Sequence, residues 1–202
     1  MSKSHLSGRL LARAQALQVL FQAEATGRPV DRILADEYVV TDGPIDDYGR
    51  DLALAVYDRR GDLDLVLGTV ARNWSVGRMA SVDRNILRIA LYELLYEEAV
   101  GDAVAIDEAV RLSKVFGGDD SFSFVNGVLG RLQRDMGSGV DLVARAREQR
   151  AAQEAEALAA QAAEAGADQE LQAEADDAAA ADDAAAADDA AAEAVDADVA
   201  GA

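Results

Sequence analysis

Residues 82–95 read Val82-Asp83-Arg84-Asn85-Ile86-Leu87-Arg88-Ile89-Ala90-Leu91-Tyr92-Glu93-Leu94-Leu95. The apolar members, Val82, Ile86, Leu87, Ile89, Ala90, Leu91, Leu94 and Leu95, fall on most sides of a helix rather than along one stripe. A helix that is apolar on most sides is surrounded by others. The stretch therefore predicts a central helix over 82–97, and the segments around it supply the rest of the fold.

Toward the N-terminus, Leu10, Ala14, Leu17 and Phe21 recur at spacings of 4, 3 and 4, one face of a helix over 9–26. Gly27-Arg28-Pro29 ends it, because glycine takes a left-handed cap and proline cannot continue the ladder. A short helix is expected from Val30 to Tyr38, and Thr41-Asp42-Gly43-Pro44 is turn chemistry. Residues 45–59 put Ile45, Tyr48, Leu52, Ala55 and Val56 on one face. Gly61-Asp62 then predicts a break and a cap before Leu63, Val66, Leu67, Val70 and Trp74. Ser75-Val76-Gly77 reads as a loop.

Toward the C-terminus, Gly101-Asp102 starts a helix that runs through Val115. Gly117-Gly118 ends it, and Asp119, Asp120 or Ser121 is placed to cap the last one, which carries Val125, Val128, Leu129, Leu132 and Met136. The expectation is an all-α domain of about seven helices over 1–137. Residues 138–165 favour helix but offer no stripe of large apolar residues, so a solvated extension or linker is expected there. Residues 166–202 hold Asp176-Asp177, Asp182-Asp183 and Asp188-Asp189, each pair separated by four alanines. A six-residue period does not match 3.6, so no single face forms, and a disordered acidic tail is expected.

The 202 residues carry a formal net charge of −19, unevenly placed. All 19 Lys and Arg lie in 1–150 with 23 Asp and Glu, a net of −4. Residues 151–202 hold 15 Asp and Glu and no base, a net of −15. All ten aromatic residues also lie in the first 150. The overall acidity therefore says little about the partner of the folded part.

Several chemistries are excluded by composition. With no cysteine there are no disulfides, iron–sulfur clusters or cysteine-bound zinc. One histidine, His5, leaves no Ser-His-Asp triad and no site that needs two histidines. No apolar run approaches the roughly 18 residues of a membrane span, and the N-terminus lacks a signal-peptide core, so a cytoplasmic protein without membrane contact is expected. Asp107-Glu108 are adjacent on a helix and point about 100° apart, so they do not face each other as an acid–base pair. At the start of a helix such carboxylates suit the dipole. Gly117-Gly118-Asp119-Asp120 has the look of a metal-binding turn but lacks a partner carboxylate, and a cap between helices explains it. The glycines include no phosphate-loop or dinucleotide spacing. No enzyme, cofactor or metal is expected.

The cations carry more information. Lys3, His5, Arg9 and Arg13 cluster in an otherwise apolar N-terminal segment. Arg84 and Arg88 lie one turn apart on the central helix, where a charge needs a partner or a ligand.

Three segments taken together resemble the NusB family of bacterial transcription antitermination factors. They are Ala14-Gln15-Ala16-Leu17-Gln18-Val19-Leu20-Phe21, the 82–94 stretch quoted above, and Val104-Ala105-Ile106-Asp107-Glu108-Ala109-Val110 continuing into Phe124-Val125-Asn126-Gly127-Val128-Leu129. The resemblance covers about residues 9–136. It implies an all-helical bundle of two small subdomains, here about 1–73 and 78–137. It implies binding to the single-stranded boxA element of nascent ribosomal RNA transcripts together with the ribosomal protein NusE. Other Nus factors and RNA polymerase would then be reached indirectly. As RNA-binding positions it carries over Arg9 and Arg13, with Lys3 and His5 nearby, and Phe21, Arg84, Arg88, Asp120 and Phe124. Asp83 and Arg84 fall where the family meets its protein partner. The family often has consecutive arginines at its N-terminus, whereas this segment reads Ser7-Gly8-Arg9-Leu10-Leu11-Ala12-Arg13. If Lys3, Arg9, Arg13 and Arg88 each met a phosphate, log K against log salt would slope by about −0.7 per contact, roughly −3 in all. That is a weak phosphate contribution, and co-operative binding with NusE is expected.

Two alternatives keep the fold and change the task. One is a protein-binding helical adaptor whose arginines are salt-bridged. The other is an RNA-binding domain related to those fused to RNA cytosine methyltransferases; such an enzyme needs a following Rossmann-type domain with a glycine-rich cofactor loop and a catalytic cysteine, and this chain has no cysteine. The oligomeric expectation is a monomer or homodimer, since self-association is known among such families and would cover the RNA surface.

Overall fold

The computed structural model describes residues 6–36, 43–71, 75–166, 169 and 172. Lys3, His5, Tyr38, Thr41, Asp42 and Trp74 lie outside the described residues, as does the Asp-pair repeat. The chain divides into one compact unit over 1–150 and a second over 151–202. In the second, residues 151–166 are helical and exposed.

All regular structure among the described residues is helical. The first unit contains α1 (Gly8–Thr26), α2 (Val30–Ala35), α3 (Asp47–Asp58), α4 (Arg60–Val70), α5 (Ser81–Tyr96), α6 (Asp102–Phe116), α7 (Ser121–Met136) and α8 (142–150), with a 3-10 turn at Val76–Arg78. The central-helix reading holds for α5. It packs against α1, α3, α4, α6 and α7, and Ile86, Leu87, Ile89, Ala90 and Leu91 are all buried. α1 lies against α3 and α5, and α6 lies between α5 and α7.

α1 closes as its sequence predicts, on Gly27 in the left-handed region at φ 67°. Its contact with α3 depends on Gly49. A Cβ at that position would sit 2.6 Å from the Ala12 carbonyl oxygen. Buried Gln15 holds the turn before α3 from the other side. Its Nε2 donates to the Pro44 carbonyl at 3.1 Å, and its Oε1 accepts from the Asp46 backbone N–H at 2.9 Å. Asp46 in turn caps α3 by accepting from Tyr48 N.

Two boundary expectations are corrected. No break occurs at Gly61-Asp62. The junction between α3 and α4 falls at Arg59, and Gly61 lies inside α4. One weak helix former in an interior costs about 1 kcal/mol, which burial of Leu63, Val66, Leu67 and Val70 exceeds. The stretch after 137 is also not wholly solvated. Leu142 and Ala146, one turn apart on α8, are buried in the core of the first unit. Arg147 on the same helix holds the Asp62 carboxylate in a fork at 2.7–3.0 Å. The spacing of 4 between a leucine and an alanine is too slight an apolar signal to show in periodicity.

Candidate nucleic-acid interface

The residues expected to meet RNA or a protein partner divide between two ends of the α1–α5 pair. These helices run antiparallel, with Arg13 opposite Glu93 and Glu24 opposite Arg84, Asn85 and Arg88. Arg9 and Phe21 are twelve residues apart on α1, which separates them by about 18 Å along the axis.

At the first end, Arg9 is exposed, and its guanidinium lies over the Tyr48 ring at 4.6 Å from the centroid. Such a pair holds the cation in place while leaving its N–H groups to solvent. Arg13, one turn further, is only 2% exposed. Its Nε donates to both Glu93 oxygens at 2.9 and 3.0 Å, and Nη1 donates to Glu108 at 3.3 Å. The Tyr48 hydroxyl donates to the same Glu93 carboxylate. Burial, followed by that hydrogen bond and the adjacent carboxylate charge, raises the Tyr48 phenol well above its ordinary value. The expected phosphate contact of Arg13 is thus corrected. Its charge is paired with Glu93 and Glu108 and its side chain is buried, so it positions the start of α1 and offers little surface to an RNA phosphate. Exposed Arg111 pairs with the other oxygen of Glu108 at 2.8 Å. Arg9, Arg111, Ser7, Gly101 and Val104 line a crevice of about 450 Å³.

At the second end, the α5 cations are also paired. Arg88 forks onto Asp64 with two bonds of 2.7 Å and reaches Glu24 at 3.2 Å. Arg84 pairs with Glu24 and donates through Nη1 to the Val76 and Met79 carbonyls, both at 3.0 Å. These bonds fix the 3-10 turn against α5. Desolvation, with the like charge of Arg88 beside it, lowers the Arg84 guanidinium below its ordinary value. Both side chains are about one-eighth exposed, so each offers a phosphate an edge at most. The cluster lines a crevice of about 420 Å³ with Tyr57 and Arg60.

The same end carries the remaining positions. Asp83 is buried beside α7, where its Oδ2 accepts from the Ser121 hydroxyl at 3.0 Å. Its Oδ1 is buried and meets no donor among the described residues. The Ser121 oxygen accepts from Gly118 N at 2.9 Å, so the α6–α7 turn is tied to the first turn of α5. Asp120 is exposed at the N-cap position of α7, and its side chain makes no capping bond. The expected cap is corrected in kind: the Ser121 hydroxyl does the tying. Phe124 packs its ring partly into the core, whereas Phe21 is 42% exposed and Phe122 45%. Contacts therefore run from Glu24 on α1 through Arg84 and Asp83 to Ser121 and the turn bearing Asp120.

The sequence does not show the partners of the cations. Glu24 and Asp64 carry no motif, and only the rule that a charge on a buried helix needs a counter-charge points to them; Glu93 lies in the 82–94 stretch and Tyr48 on the apolar face of 45–59, where neither spacing shows the bond to Arg13 or to each other.

This geometry can be set beside known proteins. Residues 10–134 match the model of the NusB family. The transcription antitermination protein NusB of Thermobifida fusca is 43% identical over 121 residues, which are 60% of this chain and 85% of that protein. The T. maritima NusB structure aligns with a TM-score of 0.55 at 30% identity, covering 64% of this chain and 93% of that one. A chain from the crystal structure of antitermination factors NusB and NusE in complex with dsRNA shares the fold. Its TM-score is 0.52 at 21% identity, over 63% of this chain and 96% of that one. The chain belongs to the NusB family of transcription antitermination proteins.

Proposed function

We propose that this chain is an antitermination factor that binds boxA of nascent ribosomal RNA transcripts jointly with NusE. The supporting observation is the strip from Glu24 to Asp120, on a fold that a relative uses in a complex with NusE and double-stranded RNA. The strip offers polar edges, an exposed Phe21 ring and few free cations, a surface suited to recognising a protein and unstacked bases together. The exposed Arg9 at the other end of α1 adds a phosphate contact.

The ion pairs change the expected strength. With Arg13 buried and Arg88 forked onto Asp64, Arg9 is left among the described cations of the original four, and Lys3 lies outside them. The salt slope is then about −0.7 to −1.4 rather than −3. Binding to single-stranded boxA RNA, measured against salt with and without NusE and against a duplex of the same sequence, tests this. A shallow slope and a large gain in affinity with NusE are expected. Equal affinity with and without NusE counts against joint binding.

The internal pairing of Arg84 and Arg88 favours one second reading, the protein-binding adaptor. It is left standing alone when RNA fails to bind even with NusE present.

A further inference from the structure

Away from both ends of the α1–α5 pair, α4, α7 and α8 enclose a polar crevice of about 490 Å³. Thr69, Arg131, Arg134, Asp135, Arg145 and Gln149 line it. Three guanidinium groups thus face a single carboxylate. Arg145 Nη2 donates to Asp135 at 3.1 Å. Its Nε is buried and meets no acceptor among the described residues. Arg131 reaches the Val70 carbonyl at 3.3 Å, a long bond to a neutral acceptor. Arg134 forms no ion pair with any described residue. Among the described residues that line the crevice, about two positive charges are left without a counter-charge.

Local helix preference explains part of this cluster. Arg134 lies in the last turn of α7, where a cation suits the dipole. Arg145 lies in the first turn of α8, where a cation is disfavoured. Asp141 already serves that helix end by accepting from Val143 N and Ala144 N at 3.0 Å. Arg145 is therefore held toward the crevice against its local preference, with one N–H buried and unspent.

The geometry points to an oxyanion site of the phosphate class, in which the planar forks of Arg134 and Arg145 grip a tetrahedral anion beside Arg131. The anion is a free phosphate or a phosphodiester of bound RNA. The site does not depend on the boxA reading, and Arg145 and Gln149 lie beyond the residues matched to the family.

Arginine Nε–H resonances of the full chain report on it directly. Inorganic phosphate is expected to shift the Arg145 signal saturably, while sodium chloride at matched ionic strength does not. Arg134→Gln, at an exposed position, preserves the fold and weakens phosphate binding by about tenfold, the loss of one charge-assisted fork. An Arg145 signal that responds alike to phosphate and chloride overturns the site. The source is separated by salt titration of single-stranded RNA binding. A slope shallower by about 0.7 in Arg134→Gln assigns the site to the RNA backbone. An unchanged slope with the phosphate shift intact assigns it to the free anion.

Discussion

The Arg13 guanidinium is held between Glu93 and Glu108, with Tyr48 closing the group from α3. Removing one member leaves a buried charge without its counter-charge, so Arg13→Ala is expected to cost about 3–5 kcal/mol of stability. Replacing both partners with apolar residues, as in Arg13→Met with Glu93→Leu, removes the uncompensated charge, and much of that loss returns. Thermal or denaturant unfolding of the three proteins checks the order. An Arg13→Ala protein of native stability would return the side chain to the RNA surface. Tyr48 adds a pH dependence. Its folded phenol holds its proton above the ordinary value of about 10, so the unfolded chain releases that proton first as pH rises. The stability it contributes is complete below about pH 10 and is lost progressively above it. Tyr48→Phe is expected to show a shallower loss of stability above pH 10 than the parent, read from denaturation midpoints between neutral and alkaline pH.

At the scale of elements, the α1–α3 contact is closed by the missing side chain of Gly49. A methyl group there meets backbone rather than a flexible side chain, so the helices must part. Gly49→Ala is expected to destabilise by about 1–3 kcal/mol despite its better helix propensity, and a midpoint at or above the parent's would contradict it. Nothing in the periodicity of 45–59 announces this contact, because a close approach between helices is a property of the pair. What periodicity does carry is the existence of α1, α5, α6 and α7 and the facing of α5 and α7, whose large apolar residues are mostly buried; on α1 the face holds for Leu10, Ala14 and Leu17 but not for Phe21, which is 42% exposed. It fails at the α3–α4 junction, where Gly61 outweighs its neighbours as a local signal but not in the packed molecule. It fails again at α8, whose buried face consists of Leu142 and Ala146. The site divides in the same way. The motifs identify Arg84, Arg88 and Asp83, but their carboxylate and hydroxyl partners come from α1, α4 and α7, far off in sequence.

For the whole molecule, the decisive quantity is where the charge sits. The formal −19 divides into −4 over 1–150 and −15 over 151–202. Within the first unit the cations of the α1–α5 pair are largely neutralised in place, so the surface offered to RNA has little positive potential of its own. A segment of −15 on the same chain is expected to repel a polyanion that comes within about a Debye length of it, roughly 8 Å at physiological salt. This repulsion acts mainly on the rate of encounter, which long-range fields govern more than they govern dissociation. Removing 151–202 is therefore expected to raise the association rate with boxA RNA at low ionic strength. The dissociation rate should change much less, and the gain should vanish as salt rises toward about 1 M, where the screening length falls to about 3 Å. Stopped-flow association with the full and shortened chains, each with NusE at two ionic strengths, measures it. Equal rates at low salt would mean that the acidic segment leaves RNA capture untouched, and a gain that persisted at high salt would point to a cause other than charge.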